Sequence, residues 1–208
     1  AVRNGAPETY IIADMPYMSY HLNVETTKQN ASRLIIEGKV DCVKIEGGSE
    51  SRLNMIKGII DCEIPVVGHL GLTPQSVNKF GGFKVQGKVQ SQKDIILAQA
   101  LEIEKAGAFM LVLEGIPEDL GLTVTQALSI PTVGIGAGRY TDGQVLVWHD
   151  ILGLSDNQAR FNKIWQNLHH ITYEAVKEYK SDVKNKSFPD ETHVYYPIAK
   201  GVDDDRNT

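Results

Sequence analysis

Six short apolar runs of this chain finish in IIAD, VKIEGG, VVGH, LVLEG, GIGAG and LVWHD, and five of the six end in or beside an ionisable side chain. Their interiors are almost wholly apolar. Asp14, Glu46, His69 and Glu114 are therefore placed where a titratable group can be held away from bulk water and still meet a substrate. If the runs are parallel strands of an α/β barrel, their C-terminal ends share one rim and these side chains converge on a single mouth. Any one of them alone could be a helix cap or a surface charge. Four at equivalent positions point to an active site.

Positions alternate across a strand, so Lys44 and Glu46 of DCVKIEGG point to the same side. Burying either charge unpaired is costly, so the two need each other, a metal or a charged substrate; a purely structural ion pair is the alternative. Asp14 and Glu46 are hard oxygen donors on neighbouring strands. Such a pair suits Mg²⁺, which takes few protein carboxylates, keeps waters and leaves positions for a substrate that chelates through two oxygens. A 2-oxo acid has such oxygens in its carboxylate and keto groups. Polarising the keto group acidifies the proton on the adjacent carbon, and Glu114, closing a very apolar strand, is placed to accept it.

Other candidates are weaker. GIGAG, Gly134 to Gly138, lacks the spacing of the dinucleotide fingerprint and has no acidic residue about 20 positions on, so it reads as a tight glycine turn at the rim. His149 and Asp150 close the last run, as rim residues or as a local pair. His21, His169, His170 and His193 have no ligand-like spacing.

The elements that must carry these side chains follow from periodicity. Apolar runs alternate with amphipathic segments, which predicts βα units around a parallel sheet. The strands are expected at Tyr10 to Asp14, Asp41 to Glu46, Pro65 to Gly68, Phe109 to Glu114, Thr132 to Ile135 and Gln144 to Trp148. Helices are expected from Val24 to Glu37, from Ser49 as a cap to Ile60, over Ile95 to Ala106 behind a Ser91–Asp94 capping box, and over Pro117 to Ser129. Phe161, Ile164, Leu168, Ile171, Ala175 and Tyr179 paint one apolar stripe on a final helix that is expected to pack across the body of the domain. Between Pro65 and Lys88 a strand opens into a glycine-rich stretch of about twenty residues, against a usual connection of ~4–6, which predicts a binding loop or lid.

The 208 residues, 42% hydrophobic with a net charge of −5, fit one globular domain: residues 1–183 form a partial barrel with its packing helix, and 184–208 a polar tail expected to be disordered or wrapped over a neighbour. Scattered basic residues exclude a nucleic-acid surface, and no run approaches the ~20 apolar residues of a membrane span. Cys42 and Cys62 sit in apolar surroundings and read as reduced core residues of an intracellular protein.

ADMPYMSY, VKIEGG, GHLGLTPQSVNKFGGFKVQGK, LVLEGIP, IPTVGIGAG, TDGQVLVWHD and the closing FP-x-x-x-H together resemble the ketopantoate hydroxymethyltransferase family, from about Ala1 to Tyr195. The resemblance implies a (β/α)₈ barrel that binds Mg²⁺ and uses 5,10-methylenetetrahydrofolate as co-substrate. It implies transfer of a hydroxymethyl group to 3-methyl-2-oxobutanoate, through its enolate, to give 2-dehydropantoate in pantothenate biosynthesis. By the same resemblance Asp14 and Glu46 are metal ligands, Asp14 and Lys44 contact the oxo acid, Glu114 is the catalytic proton acceptor, and His69 lies near the substrate. It also implies a homo-oligomer, with the final helix as a candidate contact; the sequence itself leaves the compartment open between the cytoplasm and the mitochondrial matrix.

One departure stands out. Family members carry about two further βα units, including a VGDS-like segment whose Asp is another metal ligand and whose Ser contacts substrate. This chain, opening on Ala1, has neither, matching six strands where a closed barrel has eight. It is therefore expected to belong to a longer polypeptide or to take its missing staves from another segment. The alternative is a catalytically incompetent homologue that serves as a structural or interaction subunit.

Overall fold

The computed structural model describes residues 1–154 and 159–197. It divides into two compact units, Ala1–Leu146 and Val147–Thr208. The first holds six strands in one sheet, ordered as in the sequence and parallel at every pairing: β1 Ile12–Asp14, β2 Cys42–Glu46, β3 Val66–Gly71, β4 Met110–Glu114, β5 Thr132–Ile135 and β6 Gly143–Gln144. This is the arrangement of an incomplete (β/α)₈ barrel. After α1, Val2–Gly5, the helices are α2 Val24–Ile36, α3 Glu50–Ile60, α4 Val77–Phe80, α5 Gln90–Lys105 and α6 Glu118–Ala127.

The alternating strand pattern sorts side chains onto two faces. Val43, Ile45, Val66, Leu70, Leu111 and Leu113 are buried in one core with Ile56 and Ile59 of α3, Ile103 of α5 and Val124 of α6. Each such side chain contributes roughly 1.5–3 kcal/mol by leaving water. On the other face Cys42, Val67, Val112 and Ile135 form a smaller apolar cluster. The residues that follow them at intervals of two, Lys44 and Glu46, His69, and Glu114, extend that same face toward the strand C-termini. Both cysteines are free, Cys42 in this cluster and Cys62 packed against the larger core.

Helix starts are set by caps. The side chain of Asn23 accepts from the backbone N–H of Thr26 to open α2, and that of Ser49 accepts from Arg52 to open α3. The Ser91–Asp94 box does not form. The helix α5 starts earlier, at Gln90 behind Val89, where Gln92 Oε1 instead reaches back to the Lys88 N–H and Gln90 bonds Asp94.

Three further expectations are corrected. The strand carrying His69 runs on to Gly71, because Gly71 pairs with Glu114 of β4; His69 therefore lies inside β3 and not at its tip. The last strand is two residues at Gly143–Gln144, and Trp148–Ile151 is a short helix, α7, so His149 and Asp150 do not close a strand. The run QVLVW has strong strand propensity, but β6 pairs only with β5 and Val145 and Val147 are exposed, so propensity acts there without burial. No helix lies between β5 and β6. Asp142 Oδ2 instead fastens the turn, accepting from the Thr132 N–H and hydroxyl at 2.8 and 3.0 Å.

In the second unit α8 spans Leu168–Asn185 and opens later than the stripe from Phe161 predicts, since Asn167 caps it by accepting from the His170 N–H. No residue of α8 is buried, and Ile171 and Tyr179 of the stripe are exposed. The start of the tail is ordered by local bonds: Ser187 donates to the Asp182 carbonyl, and Asp190 caps a 3₁₀ turn at Glu191–His193. The closing GVDDDRNT lies outside the described residues.

Candidate active site

The ends of β1 to β4 bring the predicted side chains together. Register sets Asp14 beside Lys44, Glu46 beside His69, and Gly71 beside Glu114. From there one connected array forms. Lys44 Nζ lies 3.1 Å from Asp14 Oδ1 and 3.0 Å from His69 Nδ1. His69 Nδ1 is also 3.8 Å from Glu46 Oε1, and its Nε2 is 3.3 Å from Glu114 Oε2. Exposure falls from the rim inward: the side chain of Asp14 is 63% exposed, those of Lys44 and Glu114 14% and 15%, and that of His69 2%.

The Lys44 contact orients the histidine. An ammonium has only donors, so His69 Nδ1 must accept and the ring carries its proton on Nε2, facing Glu114. That nitrogen is buried within ion-pair range of Glu114 but makes no hydrogen bond. A buried, unspent donor beside a carboxylate is expensive in a purely structural cluster. The ammonium thus bonds Asp14 and His69, and no ion pair forms between Lys44 and Glu46. Its charge still acts on Glu46.

Glu46 is the most buried of the acids, and burial pushes its carboxyl above the usual carboxylate range. The Gln75 N–H and the Lys44 ammonium pull it back down, and the charge of Asp14 adds to the upward push. Two acids that feel each other through an ammonium and an imidazole are a pair waiting for positive charge. Among the described residues no group of three or more His, Cys, Asp or Glu is arranged to hold a metal ion. A two-carboxylate site still fits Mg²⁺, which commonly takes one or two carboxylates and fills the rest of its octahedron with water and substrate oxygens.

The backbone around Glu114 leaves no room for error. Gly71 has φ +94°, and a Cβ there would stand 2.2 Å from the Glu114 carbonyl oxygen, which also accepts from the Leu72 N–H at 2.7 Å. Gly71→Ala is expected to destabilise the fold by more than the ~1–3 kcal/mol of left-handed strain alone, because the β4 end must also move. Urea unfolding of the variant checks this; a midpoint equal to wild type would contradict it.

Gln75 and Tyr20 were not singled out by the sequence. Gln75 sits in the 3₁₀ turn Pro74–Ser76 that follows β3, and its backbone N–H donates to Glu46 Oε2 at 3.0 Å. No side-chain pattern announces a contact made by a main-chain group. Beside Glu46 opens a cleft of about 460 Å³, bordered by Gly47, Gly48 and Ser49 at the start of α3, by Gln75 and Asn78, and by Gln92 and Gln99 of α5. The long loop therefore does line a cavity next to the acid cluster. The GIGAG segment forms a glycine turn, with φ +62° at Gly136 and +81° at Gly138.

A parallel βα sheet with an acid–base array on the C-terminal rim defines the class: an enzyme of the (β/α)-barrel kind, whose chemistry sits at the strand ends. Residues 1–191 match the family model described as ketopantoate hydroxymethyltransferase. Three curated proteins called 3-methyl-2-oxobutanoate hydroxymethyltransferase are close relatives. The one from Clostridium beijerinckii is 50% identical over 94% of this chain and 71% of its own length. Those from Thermosipho melanesiensis and Thermotoga maritima are 51% and 46% identical, over 94% and 97% of this chain and 74% of theirs. Among solved structures, 2,3-dimethylmalate lyase, a PEP mutase/isocitrate lyase superfamily member, aligns with a TM-score of 0.50 at 15% identity, over 94% of this chain and 68% of that one, a likeness of fold alone. This chain belongs to the ketopantoate hydroxymethyltransferase family. Among the described residues no helix is long and apolar enough to cross a membrane.

Proposed function

We propose that the protein transfers a hydroxymethyl group from 5,10-methylenetetrahydrofolate to 3-methyl-2-oxobutanoate, giving 2-dehydropantoate and tetrahydrofolate. The observation that carries this reading is the gathering of Asp14, Lys44, His69 and Glu114 at successive separations of 3.0 to 3.3 Å, with Glu46 beside them, on one face of the strand ends. Asp14 and Glu46 would hold Mg²⁺, which when bound supplies a Lewis acid for the keto oxygen. Lys44 attracts the substrate carboxylate with the one ammonium of the array. Glu114 accepts the proton from C3, and the electron pair of that C–H bond passes into the enolate.

Water adds its oxygen to the methylene carbon of the folate as the bonds from that carbon to N10 and N5 break, and its two protons pass to those nitrogens, so tetrahydrofolate departs. The enolate carbon C3 forms its bond to the freed one-carbon unit, and the proton held by Glu114 passes to the resulting alkoxide, which becomes the hydroxyl of the product. His69 Nε2, 3.3 Å from Glu114 Oε2, lies beside the proton acceptor. The cleft beside Glu46 is within the size range of ligand pockets, and its amide side chains suit a polar heterocycle, which supports its use by the folate. A role as a structural subunit only would give the protein no use for this array. We include a homo-oligomer in the proposal, with α8 as the contact between copies; light scattering on the purified chain tests that part.

Turnover is tested by incubating the protein with the oxo acid and methylenetetrahydrofolate, with and without Mg²⁺. Formation of 2-dehydropantoate that depends on Mg²⁺ is expected; a folded protein that makes none would refute the reading.

A further inference from the structure

We propose that Gln75 is a positioning residue that fixes the spacing between Asp14 and Glu46, and that Tyr20 locks the Gln75 amide in the orientation this requires. The inference rests on the reading of those two acids as the Mg²⁺ site. Gln75 touches both of their supports. Its backbone N–H donates to Glu46 Oε2 at 3.0 Å, and its side-chain Nε2 donates at 2.9 Å to the carbonyl of Met15, the residue directly after Asp14. One residue of the turn after β3 thereby joins the end of β1 to the carboxylate at the end of β2.

The amide has only one usable orientation. The Met15 carbonyl can only accept, so the Gln75 nitrogen must face it, which turns Oε1 to the Tyr20 hydroxyl at 2.7 Å. Tyr20 is itself fully buried and held from behind: Arg52 lies over its ring at 5.0 Å and donates to its carbonyl at 2.9 Å. Both polar atoms of the Gln75 side chain therefore have a partner. Sequence separations of 55 and 60 residues within it show that it exists only in the folded protein, as a device of the rim and not of a local turn.

The physical consequence concerns cation affinity. Mg²⁺ demands near-ideal octahedral geometry, so the separation of two carboxylates matters more to it than to a larger ion. Partners behind the ligands typically hold tenfold to hundredfold in affinity. Glu46 accepts from the Gln75 N–H through Oε2, and that bond leaves Oε1 on the His69 side.

The test is titration calorimetry of Mg²⁺ into the full chain and its variants. Gln75→Met keeps the backbone N–H and the side-chain volume but removes the amide; it is expected to weaken Mg²⁺ by roughly tenfold, with Tyr20→Phe weakening it less in the same direction. Ile103→Val, in the core on the far side of the sheet, is the control: it should lower the thermal midpoint without moving Mg²⁺ affinity. If Asp14→Ala and Glu46→Gln weaken the ion while Gln75→Met and Tyr20→Phe do not, the positioning role is overturned and the Mg²⁺ site stands. If the wild type binds no Mg²⁺, or neither acid matters to it, the site itself is wrong and the inference falls with it. If Ile103→Val weakens Mg²⁺ as much as Gln75→Met at equal loss of midpoint, the effect is general loosening and the inference is overturned.

Discussion

Glu114→Gln is expected to lower kcat by roughly 100- to 10,000-fold while leaving KM for the oxo acid within a few-fold of wild type. The substitution is nearly isosteric, so the end of β4 keeps its backbone bonds, including that from the Leu72 N–H to the Glu114 carbonyl. Only the capacity to take a proton is lost. An amide is no base, and it fills the same space beside His69 Nε2, so the shape of the site survives where acceptance does not. A loss confined to kcat separates removal of a base from removal of a binding contact. A variant that turns over at the wild-type rate would show that the proton goes elsewhere.

Asp14→Ala acts at the other end of the array. Its expected effect is on the ion: Mg²⁺ affinity should fall by more than the roughly tenfold to hundredfold typical of losing a supporting partner, because here a ligand itself is removed. A second effect follows from the geometry. Lys44 loses its contact at 3.1 Å and keeps its bond to His69, so a largely buried ammonium is left without its nearest carboxylate. The folded protein should therefore lose some stability together with the ion, although the side chain of Asp14 is mostly exposed and solvent replaces part of what is removed. Calorimetric titration with an unchanged dissociation constant would contradict the assignment.

Much of the fold was legible because period and punctuation agreed. β2 and β4 were found within a residue, since CVKIE and MLVLE are apolar runs buried on both faces and bounded by turn residues. The site was legible for the same reason: strand ends that break an apolar run with a charge are visible without coordinates. What could not be read was anything set by long-range partners. Gly71 extends β3 because Glu114 lies opposite, and QVLVW fails to become a strand because it has a partner on one side only. The contact of Lys44 with His69 in place of Glu46 depends on side-chain reach across β2 and β3, which alternation along one strand cannot supply. Gln75 was hidden more deeply, since it supports Glu46 through a main-chain donor that any residue but proline has.

The account turns on whether this array makes the carbon next to a keto group give up its hydrogen. Proton NMR of 3-methyl-2-oxobutanoate in D₂O with the protein and Mg²⁺, and without any folate, measures that step alone. The account predicts exchange of the C3 hydrogen that stops when the metal is chelated and is absent in Glu114→Gln. A folded, Mg²⁺-loaded wild-type protein that leaves the C3 signal at the rate of buffer would contradict it.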